Sequence, residues 1–242
     1  MTTEHVSASA LYRLMTFLSP AFPIGAFTYS HGLEQAIDDG DVSDVDSLYV
    51  WLDDVLRYGA GRSDGILLKE TMLCCARGDN SGLVELVDLG LALQPSQERY
   101  LESSAQGTAF MEAIRQAWTP EDQTPATQLV ASLLIGDTSD RIKHWPYPVA
   151  VGATAAAWAI PVDAALTGLL HAFASNVISA AIRAVPLGQN NGQRVLAKLE
   201  PTIAHVRDLA LTQSLDDLGT NCFLADIASM NHETKYSRLF RS

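Results

Sequence analysis

Apolar residues recur at helical spacing along most of this chain. One stripe comprises Leu48, Trp51, Leu52, Val55 and Leu56, and a second comprises Leu67, Leu68, Thr71, Cys74 and Cys75. This alternation of three and four residues is typical of an amphipathic helix that buries one face. Runs rich in Val, Ile and Thr between hairpin turns, which would predict strands, are nearly absent. The pattern therefore predicts an all-α protein.

Helix-start and helix-stop residues divide this pattern into about ten helices. Ser43-Asp44 and Pro95-Ser96 are typical helix starts, and Pro161 suits the first turn of another helix. Pro186 should end a long helix, and Pro201 should kink a helix or mark its boundary. No repeat, low-complexity tract or linker interrupts the chain. We expect a single helical domain over residues 1–242, with residues 230–242 as a C-terminal docking tail.

Composition and charge exclude some classes of function. The 242 residues are 48% hydrophobic, which is enough for a substantial core, and the net charge is −12. A strongly acidic chain does not suit nucleic acid, because phosphate binding requires basic patches. Three cysteines without regular spacing do not form a disulfide framework, and no positively charged lead-in precedes an apolar run at the N-terminus. These features predict a cytoplasmic protein that could suit a basic protein partner.

The uncharged stretch from Ala164 to Ile182 is long enough to span a bilayer. It contains polar residues such as His171 and Asn176, which are costly in hydrocarbon, so a buried helix of a soluble protein is favoured and no membrane is expected. A stripe of small residues on this helix comprises Ala165, Gly168, Ala172, Ser175 and Ser179. Such a stripe lets another helix approach closely, either within the chain, which we favour, or across a homodimer.

The chain contains no convincing catalytic or metal-binding motif. The glycine-rich run over residues 59–65 has the wrong spacing for a phosphate loop, and the six histidines are scattered. Cys74 and Cys75 are adjacent, so on a helix they diverge and are better explained as buried apolar residues. Ser30 and His31 are also neighbours, whose side chains rarely face each other. This predicts a binding or assembly role without enzymatic activity, cofactor or metal.

The C-terminal tail, in contrast, is dense in groups that make directional contacts. Residues 230–242 include a Tyr, two Arg, a His and a Phe. We expect this segment to dock, either onto its own fold or onto a partner. The plain alternative is a solvated chain end.

Three segments resemble one known family. They are residues 19–34 (SPAFPIGAFTYSHGLE), 185–193 (VPLGQNNGQ) and 226–240 (DIASMNHETKYSRLF). Their order and spacing are similar to those of the urease accessory protein UreF family, and the likeness covers nearly the whole chain. One departure is Asn231, where family members often carry a basic residue.

The resemblance implies a specific role. Proteins of this family are all-helical, dimeric and not known to be enzymes. They join a second accessory protein, UreD (also called UreH), to the GTPase UreG, and the complex delivers nickel to apo-urease. A channel through these proteins has been proposed as the nickel route. An alternative is a GTPase-activating regulator of UreG, with Arg238 or Arg241 acting as an arginine finger.

The resemblance also suggests partner-binding residues in all three segments. They are Phe27, Tyr29, Gln189, Gln193, His232, Glu233, Tyr236, Arg238, Leu239 and Phe240. Phe27 matches an aromatic position linked to the tail, and Arg238 matches an arginine that responds to the second accessory protein. In the first segment, Gly25 permits a turn before a helix expected to begin near Thr28, capped by Thr28 or Ser30. For the second segment we favour turn chemistry alone, with Gly188 and Gly192 supplying backbone freedom, over a surface presented to a partner.

Overall fold

The chain forms a bundle of α-helices. The computed structural model describes residues 6–118, 120, 123–135 and 142–242. Within these residues there is no strand, and there are two 3-10 turns, Ala26–Thr28 and Leu215–Asp217. The twelve helices described are α1 (Ala8–Phe17), α2 (Leu33–Asp38), α3 (Val45–Tyr58), α4 (Ala60–Ala76), α5 (Asn80–Ala92), α6 (Gln97–Ala117), α7 (Pro125–Ile135), α8 (Tyr147–Ala157), α9 (Val162–Ala184), α10 (Gln189–Lys198), α11 (Glu200–Thr212) and α12 (Phe223–His232). This confirms the all-α bundle, with slightly more helices than expected.

Helices α4 and α8 lie at the centre of the first of two core clusters. Helix α8 contains five Ala and one Gly, and nearly all of it is buried. A Cβ atom on Gly152 would lie 2.7 Å from the carbonyl oxygen of Leu68 on α4. Only glycine therefore permits this approach between the two helices, which brings α1, α5, α6 and α7 around one apolar core.

The second core cluster is built from the stripe of α3, together with α2, α9, α10 and α11. Leu48, Leu52 and Leu56 are fully buried there, as the spacing of the stripe predicts. Helix α9 belongs to both clusters, since Leu166 lies in the first and Leu170 in the second. Of the described helices, α9 alone is long and apolar enough to cross a membrane, and half of its apolar window is buried inside the chain.

Most of the expected helix boundaries are confirmed. Asp44 caps α3 through a reciprocal pair of hydrogen bonds with Ser47, and the Ser96 hydroxyl accepts the Arg99 N–H at the start of α6. Helix α9 ends at Ala184, just before Pro186, and Pro201 is the second residue of α11. Pro120 and Pro125 also bracket a polar stretch, which predicts a turn, and part of that stretch lies outside the described residues.

Two expectations about the first and second segments were wrong. Helix α2 begins at Leu33 instead of near Thr28, because His31 and Gly32 both adopt positive φ angles, 61° and 77°, that a helix cannot contain. Thr28 does not cap α2, although the Ser30 hydroxyl accepts the N–H of Glu34.

In the second segment, α10 already begins at Gln189, so Gly192 lies in a helix and not in a turn. A Cβ atom on Gly192 would lie 2.7 Å from Ile182 Cδ1 and 2.9 Å from Ile178 Cγ2. Gly192 therefore serves close packing of α10 on α9, and backbone freedom is not the reason for it.

Candidate functional site: the docked C-terminal tail

Residues 230–232 of the expected tail form the end of α12, and the tail beyond them, residues 233–242, docks onto its own fold. The N–H of Arg241 donates to the carbonyl of Thr28 at 2.8 Å, and the N–H of Ser30 donates to the carbonyl of Ser242 at 2.9 Å. Ser242 is fully buried and Phe240 is 5% exposed. A solvated chain end would show neither feature, so the tail is an integral part of this fold.

Glu34, near the start of α2, is the main anchor of the tail. It accepts the N–H groups of Leu239 and Phe240 at 2.9 Å each and the ammonium of Lys235 at 2.7 Å. Burial opposes ionisation of this carboxyl group, but the hydrogen bonds from Lys235, the two backbone N–H groups and His232 outweigh it and hold the pKa of Glu34 below its ordinary value. A charged Glu34 thus fixes the backbone of the tail.

His232, the last residue of α12, is fully buried between two carboxylates. Its Nδ1 lies 2.7 Å from Glu98 Oε2, and its Nε2 lies 3.1 Å from Glu34 Oε2. One buried ring therefore joins α2, α6 and α12.

Two cations of the tail, Lys235 and Arg238, complete the network. Arg238 Nη1 lies 2.5 Å from Glu98 Oε1, and Lys235 bridges Glu34 to Asp38, at 2.7 Å from each. Glu34 and Glu98 are both buried, whereas Arg238 and Asp38 reach solvent. Buried carboxylates are costly without cationic partners, so these two depend on the tail for charge balance.

A second ionic group lies beneath the end of the tail. Glu102 pairs with Arg99 on the same helix and accepts the Ser242 hydroxyl at 2.7 Å. Burial opposes ionisation of Glu102, but the charge of Arg99 and contacts from His31 and Ser242 lower its pKa to about 2. Burial, with the charge of Arg99, lowers the pKa of His31 to about 4, so His31 is neutral at pH 7.

Asp64 on α4 borders the same group and two cavities. Burial raises its pKa to about 7, with the charge of Glu102 adding to the effect and that of Arg99 opposing it. A cavity of about 310 Å³ lies between α9 and residues 18–27, and a smaller one, of about 90 Å³, is lined by His31 and Cys222. Asp64 and Arg99 line both, so this pair borders cavity space on two sides.

The rim of the docked tail is apolar and exposed. The outer face of α12 and the tail beside it present large side chains that are 45–104% exposed, namely Phe223, Leu224, Ile227, Met230, Tyr236 and Leu239. By their spacing on α12, Phe223, Leu224, Ile227 and Met230 share one helix face, and grouped exposed apolar side chains of this kind mark interaction surfaces. The tail therefore combines polar anchors that face inward with apolar groups that face outward.

Comparison with known proteins identifies the family. A model of the UreF family matches residues 42–200. Two proteins of Rhodopseudomonas palustris named urease accessory protein UreF, from strains HaA2 and BisA53, are each 48% identical to this chain, over 97% of the chain and 94% of their own length. A protein of the same name from Bradyrhizobium diazoefficiens is 44% identical over 97% of the chain and 93% of its length. The chain belongs to the UreF family.

The predicted partner-binding residues of this UreF-family chain occupy three environments. Phe27, Tyr236 and Leu239 are exposed, and Arg238 is partly so. Tyr29, His232 and Phe240 are buried, and Glu233 accepts the N–H of Gln97 at 2.8 Å. Gln189 and Gln193 are exposed on the first turns of α10. The tail contacts of the described chain do not include these two glutamines.

Sequence reasoning missed the acidic side of the site. Glu98 and Glu102 are four residues apart on α6, with Arg99 between them, a pattern that also fits a solvated helix face. Glu34 is the last residue of the first segment, but no residue spacing in the sequence indicated that it binds the tail. The signal that could have found them is charge complementarity: a basic tail that docks on its own fold needs buried acids to receive it.

Proposed function

We propose that this chain is a non-enzymatic scaffold in urease maturation. It joins UreD/UreH to the GTPase UreG, so that the complex delivers nickel to apo-urease, and it acts as a homodimer in the cytoplasm. Membership of the UreF family supports this role, as does the resemblance of the three segments.

The observation that carries the proposal is the two-sided character of the tail. Its inward groups, Lys235 and Arg238, bind the buried Glu34 and Glu98. Its outward groups, Tyr236 and Leu239, are 104% and 70% exposed. A segment that is anchored by charge and exposes an aromatic side chain such as Tyr236 is suited to receive a protein partner, because Tyr is one of the residue types that carry most of the binding energy of an interface.

The test uses surface variants that leave the fold intact. This chain is co-expressed with UreD/UreH and UreG, and the complex is isolated by gel filtration. The double variant Tyr236→Ser/Leu239→Ser should lose the three-protein complex, since it removes two exposed side chains and keeps the backbone hydrogen bond of Leu239 to Glu34. Tyr12→Ser is the matched control, because Tyr12 is 66% exposed but lies on α1. A three-protein complex of unchanged yield with the double variant would overturn the proposal.

A chain that ends at Met230 extends this test. It lacks His232, Lys235 and Arg238, so it should also lose the complex while the core helices stay folded by circular dichroism. The deletion leaves Glu34 and Glu98 without their cations, so a loss of helix content in this variant would show that the fold itself was damaged. In that case, the double variant and its control alone decide whether the tail binds the partners.

A second candidate function is activation of the GTPase. Arg241 is exposed although its backbone is held at Thr28, whereas Arg238 is engaged with Glu98. An arginine finger accelerates GTP hydrolysis about 10³- to 10⁵-fold. Measured GTPase rates of UreG with the wild-type chain and with Arg241→Ala distinguish the two functions. If the wild-type chain stimulates hydrolysis by that factor and Arg241→Ala does not, the activator is favoured. If the wild-type chain leaves the GTPase rate of UreG unchanged, the scaffold is favoured.

A further inference from the structure

Arg183, in the last turn of α9, lies between two aromatic rings from distant segments. Its guanidinium carbon is 3.6 Å from the centre of the Phe27 ring and 4.5 Å from that of the Phe240 ring. Its Nη1 also donates to the carbonyl oxygen of Phe27 at 2.8 Å, and its Nε donates to that of Ser179 at 3.0 Å. One side chain therefore contacts α9, the Phe27 turn and the tail.

The two rings have opposite surroundings. Phe240 is 5% exposed and belongs to the second core cluster, whereas Phe27 is 63% exposed on its 3-10 turn. Burial lowers the pKa of Arg183, and within the described chain no acidic group offsets this effect. Arg183 is an exposed residue, and the described contacts that hold its guanidinium are the two rings and two backbone carbonyls.

The same turn and tail are joined by backbone hydrogen bonds behind this stack. Arg241 donates to Thr28 and Ser30 donates to Ser242, so residues 28–30 and 241–242 are held side by side. Gly25, with a φ of 71°, precedes the turn, and a Cβ atom there would meet nothing within 4 Å. The turn is therefore open at Gly25, and it is fixed by Arg183 together with the backbone hydrogen bonds to the tail.

We propose that Arg183 is a positioning residue that makes the Phe27 turn and the docked tail one cooperative unit. When the tail is docked, Phe240 supports the guanidinium, and the guanidinium holds Phe27 at the surface beside the tail. When either aromatic ring is lost, the other segment loosens. That this unit presents a surface to a partner rests on the proposed function. The coupling between the turn and the tail does not depend on that function.

Hydrogen exchange of the free, full-length chain tests the coupling without any partner. The amides of Arg241 and Ser30 report on the tail and the turn. Arg183→Ala should accelerate exchange at both amides roughly five- to tenfold, as expected for loss of a partly desolvated cation–π contact. Arg194→Ala is the control, because Arg194 is an exposed arginine on α10 that donates a hydrogen bond to the nearby Asn191 side chain. It should leave both amides unchanged.

Two further variants separate a joint role from a local one. Phe27→Ala should accelerate exchange at Arg241, and adding it to Arg183→Ala should give no further increase, because both changes remove the same stack. Arg183→Lys keeps the charge without the flat guanidinium and should restore less than half of the protection. Unchanged exchange in Arg183→Ala, additive effects in the double variant, or full protection in Arg183→Lys would each overturn the proposal. A failure of partner binding alone would overturn the proposed function and leave this coupling standing.

Discussion

Replacing Glu34 with Gln should release the tail. Glu34 Oε1 accepts Lys235 and the Leu239 N–H, and Oε2 accepts His232 and the Phe240 N–H. Both oxygens face donors, so either orientation of a Gln amide would place its NH₂ group against other donors. The substitution therefore costs hydrogen bonds to a charged group and leaves buried donors unpaired.

The magnitude follows from the hydrogen bonds that this substitution removes. Hydrogen bonds to a charged group are each worth about 1.5–3 kcal/mol, and Gln can keep those on its one remaining oxygen. We expect docking of the tail to weaken by about 2–4 kcal/mol, which is roughly a 30- to 1,000-fold fall in the docking equilibrium constant. Hydrogen exchange at the amides of Leu239 and Phe240 should accelerate accordingly, while amides in the core of α4 keep their protection.

Asp38→Asn provides the matched control for Glu34→Gln. Asp38 also binds Lys235 at 2.7 Å, but its side chain is 51% exposed. An exposed ion pair contributes at most about 1 kcal/mol, so this variant should change exchange at Leu239 by less than about fivefold. Equal effects of the two substitutions, or unchanged protection of Leu239 in Glu34→Gln, would refute the reasoning that a buried carboxylate fixes the tail.

Acidification should act in the same direction as this substitution. The pKa of folded Glu34 lies below its ordinary value of 4.5. Its contribution to docking is therefore complete above that value and is lost as the pH falls through the lowered pKa. Glu34→Gln should lack this part of the pH dependence, because its amide does not titrate.

Three further outcomes test the rest of the structure. Asp64→Asn should become more stable relative to wild type as the pH rises from about 4 to 7, because the wild-type carboxyl group must ionise against a pKa that burial raises to about 7. The gain should be less than about 1.4 kcal/mol per pH unit, because cavity space borders Asp64, and urea unfolding at pH 5 and pH 8 measures it. Gly152→Ala should lower stability by about 1–3 kcal/mol in the same assay, because the new methyl group would meet the Leu68 carbonyl. Phe223→Ser/Leu224→Ser should change stability by less than about 0.5 kcal/mol for each exposed position but weaken the three-protein complex on gel filtration, and an unaffected complex would remove α12 from the partner surface.

The helices were predictable because they depend on local pattern. The stripe of α3 fixed its buried face, and Asp44 and Ser96 marked helix starts by capping chemistry that acts within three residues. The start of α2 was mispredicted because His31 adopts a left-handed conformation, which a sequence pattern does not reveal. In that conformation, His31 Nδ1 lies 3.8 Å from Glu102 Oε1 on α6, so the backbone of His31 is linked to a tertiary contact and not to a local pattern.

The candidate site was predictable only on the side of the tail. Composition and resemblance singled out Phe27 and Arg238, but Glu98 lies 140 residues from Arg238, and Arg183 lies 156 residues from Phe27. No local spacing connects such pairs. A buried acid on α6 and a solvated acid on a helix surface have the same sequence signature until the fold shows which is covered.

The sequence by itself determined the helical class, most helix ends and the family, because these follow from periodicity, capping and extended similarity. Only the tertiary structure decided that the tail lies on its own fold, which acids receive it and which side chains it leaves exposed. The physical reason is that the charge of a buried carboxylate must be balanced in space. Between 134 and 201 residues of chain separate His232, Lys235 and Arg238 from the carboxylates they contact, so only the folded chain brings these groups together.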